Sequence, residues 1–273
     1  MEVGSWCTLR VDRFKEIGVY LTDGTEDVLL PKKYVPEDLM EGDSLQVFIY
    51  RDSEDRKIAT TKAPLIEVGK MARLKVKAVT DFGAFMDCGL ERDVLLPFKE
   101  QTAKVRDGAE YLVRMYRDKS DRLAVSMKLY NYLEPNTVYD KGAHVSGTVY
   151  EYKKGFGALV AIDDKYSGLI HESEIFDHIQ VGDPVQCRVV KRREDGKTDL
   201  ALRESIPVQM NQDSEMVYDI IKSYDGVLPF TDKADPERIK TEFGLSKNAF
   251  KRAVGHLLKE KKIEITEDSI RIL

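Results

Sequence analysis

The chain has 273 residues, 42% of them hydrophobic and 33% charged, which suits two domains or three to four small ones with enough apolar mass for packed cores. No run nears the roughly 18–20 apolar residues of a membrane helix, Met1-Glu2 leads into no basic-then-apolar signal peptide, and Cys7, Cys88 and Cys187 form no CxxC pair, so a disulfide scaffold, a zinc knuckle and a thiol redox site are disfavoured and a reducing cytoplasm is expected. Net charge is −5, from 43 basic and 48 acidic residues, so any nucleic-acid binding must come from local patches, not from a basic coat.

Read in chain order, the sequence repeats itself. Residues 16–21 read EIGVYL, residues 81–86 DFGAFM and residues 155–160 GFGALV. The glycines Gly18, Gly83 and Gly157 lie 65 and 74 residues apart. DVLLP follows at 27–31 and again at 93–97, with SGLIH in the same place at 167–171. Tyr50-Arg51-Asp52 recurs as Tyr116-Arg117-Asp118, and Lys62, Lys128 and Arg203 close the three units. In the third unit, short apolar runs at Val145–Tyr150, Ala158–Ile162, Ser167–His171, Val185–Val190 and Leu200–Arg203 are separated by turn residues and predict five strands. Five short strands in about 65 residues suit a small closed barrel, which leaves no long free edge. Gly157 within a strand predicts a bulge there. Pro64, Pro135 and Pro207 follow the closing segments as stiff connectors, so limited articulation is expected.

From residue 207 the period changes. Met216, Val217, Ile220, Ile221 and Tyr224 fall at helical spacing. Asp235 is the N-cap of a second helix with Pro236 at its first position, and Gly244 ends it. Ser246 caps a third helix, whose Phe250, Val254, Leu257 and Leu258 are expected to face inward. Two strands, Lys262–Thr266 and Ser269–Leu273, complete a winged helix-turn-helix pattern. The expected fold is therefore mainly β with a C-terminal α+β module: three tandem five-stranded barrels over 1–65, 66–135 and 136–206, then a winged helix over 207–273.

GFGALV at 155–160, GLIHESE at 168–174 and VGD at 181–183 make the third repeat resemble the S-one RNA-binding motif, an OB-fold module. Three such repeats followed by a winged helix resemble the conserved virulence factor B family of bacterial RNA-binding regulators, in both domain order and length. The resemblance implies a nucleic-acid face built from two aromatics around the Gly-Ala pair, a histidine on the third strand, and an acid and a base near the last turn. Those positions hold Phe156, Leu159, His171, Arg193 and Lys197 in repeat three. They hold Phe82, Phe85, Pro97, Asp118 and Arg122 in repeat two, and Ile17, Tyr20, Pro31, Asp52 and Arg56 in repeat one. Repeat one has lost an aromatic and the histidine, repeat two only the histidine. Repeat three has lost an aromatic and exchanged the acid for a base.

Local charge ranks the repeats. Residues 1–65 carry net −4, 66–133 net +3 and 134–206 net −3, while 246–262 carry six basic groups against Glu260 alone. Repeat one is thus expected to be a structural or protein-contact module. Repeats two and three, with Lys247, Lys251 and Arg252 of the last helix, are expected to form the binding surface. Phe82 and Phe156 could instead be barrel core, His171 a satisfied strand histidine, and the basic helix face a solvated surface. No enzyme signature stands out. His144, His171, His178 and His256 form no HxH or HExxH set, there is no phosphate loop, and Gly155-Phe156-Gly157 lacks the context of a dinucleotide site. The reading is a cytoplasmic, non-enzymatic binder of single-stranded RNA, needing no cofactor or metal and no membrane, with a role in post-transcriptional regulation. The alternatives are a transcription regulator whose winged helix reads duplex DNA, and a protein-interaction scaffold.

Overall fold

A computed structural model describes residues 1–175, 178–202 and 206–273, with side chains in the last stretch from 211 onward. Each repeat is a five-stranded closed barrel. The first is built from β1 (Trp6–Lys15), β2 (Gly18–Thr22), β3 (Asp27–Pro31), β4 (Ser44–Arg51) and β5 (Lys57–Thr60). The second comprises β6 (Met71–Thr80), β7 (Gly83–Met86), β8 (Val94–Pro97), β9 (Glu110–Arg117) and β10 (Leu123–Ser126). The third comprises β11 (His144–Lys153), β12 (Gly157–Ile162), β13 (Tyr166–His171), β14 (Pro184–Arg192) and β15 (Thr198–Ala201). In each, the strands run around the barrel in the order first, second, third, fifth, fourth, and only the third and fifth pair in parallel. The alternation read from the sequence is the inside–outside alternation of the wall. Val185, Cys187 and Val189 of β14 are buried, with Gln186 exposed between them.

The repeat spacing has a direct structural cause. Gly18 pairs across the barrel with Pro31, Gly83 with Pro97 and Gly157 with His171. At Gly157 φ is 131° and an added Cβ would lie 2.0 Å from the Ile170 carbonyl oxygen, so the close approach of β12 to β13 admits only glycine. The bulge expected at Gly157 is elsewhere. The register slips on the neighbouring strand β11 between Val149 and Glu151, and at the matching places of the other barrels, between Val11 and Arg13 and between Val76 and Ala78. The glycine marks close backbone contact, and the bulge that bends the barrel lies further along the neighbouring strand, opposite Leu159 and Val160.

The connectors are packed. After Pro64, the Leu65 N–H donates to the Cys88 carbonyl, Ile66 is buried in the core of barrel two, and the Val68 N–H donates to the Gly4 carbonyl. Phe48 and Tyr50 of barrel one belong to the same apolar cluster. Before Pro135, Leu129 and Leu133 are buried with Leu112 of barrel two and Tyr150, Leu159 and Leu169 of barrel three. The three barrels accordingly form one unit, Met1–Leu202. Arg203, expected to close the third repeat, lies outside the described residues. Pro207 belongs to the first turn of a helix, not to an extended joint, and there its missing N–H removes no helical bond.

The C-terminal unit holds α1 (Ile206–Ser223), β16 (Val227–Leu228), α2 (Pro236–Phe243), α3 (Lys247–Lys259), β17 (Ile263–Ile265) and β18 (Ile270–Ile272), with sheet order β16-β18-β17. Asp235 caps α2 by accepting the Glu237 N–H at 2.8 Å, Gly244 ends it at φ 66°, and Ser246 caps α3 through the Ala249 N–H. Val217, Ile221, Ile239, Phe243, Phe250, Val254 and Leu257 form the core. Leu258, expected inward, stays 44% exposed because it sits at the edge of the buried stripe in the last turn of α3. The two-residue strand β16 is too short to leave an alternation in sequence. Among the described residues no helix is long and apolar enough to cross a membrane.

Candidate nucleic-acid interface

The four residues expected in barrel two converge. Phe82, just before β7, is 59% exposed and meets Phe85 edge to face, with centroids 5.9 Å apart and planes at 86°. Both rings line a hollow of about 400 Å³ together with Asp118, Arg122, Arg92 and Lys99. Tyr50 and Arg51 of barrel one reach the same hollow. A ring left this exposed in a folded barrel is not core, and an aromatic corner beside four cations suits a base and its phosphate.

Asp118 and Arg122 have local duties that the motif does not reveal. The Asp118 carboxylate accepts the N–H groups of Ser120 at 2.8 Å and Arg122 at 3.0 Å, so it shapes the β9–β10 turn. Asp52 does the same for Glu54 and Arg56 in barrel one. Arg122 reaches across to Asp55 of barrel one at 2.7 Å, while Arg51 of barrel one reaches Asp121 of barrel two at 2.9 Å. The two hairpins thus clasp each other through the equivalent acids Asp55 and Asp121, each held by an arginine from a different repeat position. The Arg122 hydrogen bond holds the Asp55 carboxyl below its ordinary pKa and raises that of Arg122.

Barrel three brings His171 and Arg193 together on one acid that the sequence reading missed, Asp199, while Lys197 turns instead to Tyr130 and Asp195. Phe156 is 46% exposed and sits next to Gly157, the cross-strand partner of His171. His171 Nε2 lies 3.1 Å from Asp199 Oδ1, to which Arg193 Nε donates at 2.8 Å, and Arg193 Nη2 lies 3.4 Å from the imidazole. Burial works to raise the Asp199 pKa, but the hydrogen bond and charge of Arg193, with His171, outweigh it and leave the carboxyl below its ordinary value. Asp199 therefore holds the imidazole and the guanidinium side by side. The repeat comparison carried a signal for it: Asp199 stands opposite Leu169 where Ile58 and Ala124 stand opposite Leu29 and Leu95. Lys197 donates to the Tyr130 hydroxyl and lies over its ring at 4.1 Å. Tyr130 lies in a connector outside the repeat pattern, so nothing in the sequence flagged it. Leu159, in the second aromatic position, is buried between barrels.

Barrel one is self-satisfied at the equivalent face. The Arg13 guanidinium covers the Tyr20 ring at 4.4 Å, and Arg56 is held by Asp52 at 2.7 Å, although Ile17 remains 59% exposed. In the C-terminal unit, Lys247 donates to the Lys233 carbonyl at 3.3 Å. Lys251 and Arg252 are exposed and, among the described residues, make no ion pair or side-chain hydrogen bond. Cys88 and Cys187 are buried, and burial pushes the Cys187 thiol up to about 12, consistent with packing residues and not reactive ones. Among the described residues no cluster of three or more His, Cys, Asp or Glu side chains is placed to hold a metal ion.

Comparison with known proteins agrees with this architecture. Residues 3–62 and 68–128 match the S1 domain, residues 132–204 the second domain of the virulence regulatory factor CvfB, and residues 215–272 the CvfB-like winged helix domain. The chain is 31% identical over 280 residues to the protein YitL of Bacillus subtilis, covering 96% of this chain and 91% of that one. It is also 31% identical over 269 residues to conserved virulence factor B of Staphylococcus aureus, covering 93% and 88%. A crystal structure of a multidomain protein with nucleic acid binding domains from Streptococcus pneumoniae superposes with a TM-score of 0.55 at 22% identity, covering 99% of this chain and 98% of that one, and shares the fold. S1 and winged-helix domains are nucleic-acid-binding modules, and no enzyme family is among these matches.

Proposed function

The chain belongs to the conserved virulence factor B family, and from that premise we propose that it is a cytoplasmic, non-enzymatic regulator that binds single-stranded RNA through barrels two and three. The observation that carries the reading is the exposed Phe82–Phe85 corner opening on a hollow shared with Arg92, Lys99 and Arg122. Stacked bases need exposed rings, and duplex DNA offers none of its base faces without unstacking. In barrel three, Phe156 beside the His171–Asp199–Arg193 group supplies a second ring with cations. On this reading the modules are those of residues 1–65, 66–135, 136–206 and 207–273, with the first a scaffold that braces the second through the Arg–Asp clasp.

The basic face of α3 adds charge to this function. Near its start only Lys247, Asn248 and Lys251 could reach base edges, and Lys247 is already held by the Lys233 carbonyl. That set favours phosphate contact over duplex sequence readout. The test is a competition assay in which a labelled 12-nucleotide RNA is displaced by unlabelled single-stranded RNA, single-stranded DNA or duplex DNA. The reading expects single-stranded RNA to compete at least tenfold better than duplex DNA. Preferential displacement by duplex would make this a transcription regulator, and no binding to any of the three would leave an interaction scaffold.

A further inference from the structure

The third barrel lacks the second aromatic of its motif, and the structure shows why. Leu159 is buried against Leu129 and Leu133 of the segment that joins barrels two and three, a place where no ring could face solvent. The same segment returns a ring to the surface. Tyr130, one residue from the buried Leu129, is 42% exposed and lies outside the apolar cluster that holds Leu129. Its position is fixed by its neighbours, since the Tyr132 and Leu133 N–H groups both donate to the Leu129 carbonyl, at 2.8 and 3.2 Å.

Two lysines flank the Tyr130 ring. Lys153 ends β11 and lies 6.0 Å from the ring centroid; Lys197, in the β14–β15 turn, lies 4.1 Å from it and donates to the hydroxyl. These two lysines belong to the two loops between which five-stranded barrels of this kind hold oligonucleotides. We propose that Tyr130 is a base-stacking residue of barrel three, supplied by the connector in place of the aromatic lost at Leu159. A base takes the exposed part of the ring, and the ammonium groups of Lys153 and Lys197 reach the phosphates on either side of it. Phe156 and Tyr130 then supply the two rings of barrel three, as Phe82 and Phe85 supply those of barrel two. The inference rests on the single-strand reading above.

The experiment measures affinity of the full chain for a labelled 12-nucleotide polyuridine RNA and a mixed-sequence 12-mer, for the wild type and the variants Tyr130→Ala, Tyr130→Phe and Phe156→Ala. Tyr130→Ala should weaken both RNAs by roughly five- to a hundredfold, the range of one lost stacking contact, while Tyr130→Phe stays within about twofold of wild type. Ultraviolet crosslinking of the unaltered chain to RNA carrying 4-thiouridine, followed by peptide mass spectrometry, gives a readout independent of variant folding and should place a crosslink at Tyr130. If Phe156→Ala loses affinity while Tyr130→Ala binds as wild type and no crosslink falls on Tyr130, the barrel is a single-strand binder and the assignment of Tyr130 is wrong. If the wild type binds neither RNA, the functional reading fails and this inference falls with it.

Discussion

Replacing Phe82 with Ala separates a binding role for the ring from a packing role. The side chain is 59% exposed, so roughly two-fifths of its surface is covered, and its ring meets Phe85 edge to face. Full burial of a phenylalanine contributes about 1.5–3 kcal/mol, so the truncation should cost about 1 kcal/mol of stability. That is a small part of the ~5–15 kcal/mol by which folded domains exceed their unfolded states. The loss of one stacked base costs ~1–3 kcal/mol of binding, five- to more than a hundredfold in affinity. Binding should therefore fall well before folding does. Fluorescence anisotropy with a labelled RNA 12-mer gives the first quantity and a thermal melt followed by circular dichroism the second. Leu159→Ala is the contrasting control, because a fully buried leucine truncated to alanine costs ~2–5 kcal/mol and should lower the melting temperature far more. Unchanged RNA affinity in Phe82→Ala, or a melt as damaged as that of Leu159→Ala, would show that the ring serves the fold and not the ligand.

Binding through a few cationic patches on an acidic protein should show log affinity falling with log salt at a slope of about −0.7 per phosphate. Three to six contacts give about −2 to −4, and a slope near zero would remove phosphate contact. Replacing Lys251 and Arg252 together with Glu should weaken several unrelated RNA sequences by a similar factor, since phosphate contacts carry no base information; a loss confined to one duplex sequence would point to DNA readout. Gly157→Ala should destabilise the protein by more than about 2 kcal/mol in a denaturant titration, combining strain at positive φ with a methyl 2.0 Å from the Ile170 carbonyl oxygen; an unchanged midpoint would contradict the close approach of β12 and β13. Because the folded Asp199 carboxyl lies below its ordinary pKa, its contribution to stability is complete above about pH 4 and is lost as pH falls through the lowered value. Melts between pH 7 and pH 3 should therefore decline less steeply in Asp199→Asn than in wild type, and equal declines would mean the ion pair adds nothing.

The barrels were legible because their constraints are local and repeated. The Gly-to-Pro and Gly-to-His spacing of 13 or 14 residues is a cross-strand pair written into the chain, and the period-2 pattern of β14 is the barrel wall itself. The helix caps Asp235 and Ser246 were legible for the same reason, since each side chain bonds a backbone N–H two or three residues on. Where the reading missed, the deciding contact is distant. The bulge lies on the strand facing Gly157, and Leu258 is exposed at the rim of the last turn of α3.

The site divides along the same line. A motif assigns residue types to positions on one barrel, and the structure sets Phe82 against Phe85 and His171 beside Arg193, while Lys197 lies on Tyr130. What it cannot assign is how a cation is shared once barrels pack against each other. Arg122 aligns with Arg56, yet Arg56 turns back to its own Asp52 while Arg122 crosses to Asp55. Barrel one answers with a different arginine, Arg51, which reaches Asp121 in the turn of barrel two. A phosphate at the hollow of barrel two must therefore either bind beside this clasp, through Arg92 and Lys99, or compete with Asp55 for Arg122. Binding of the first kind leaves the two barrels locked. The second couples RNA to the junction between barrels one and two, so Asp55→Asn would free Arg122 and strengthen RNA binding while loosening that junction. Affinity and melting temperature moving in opposite directions in that variant would identify the second case, and unchanged RNA affinity the first.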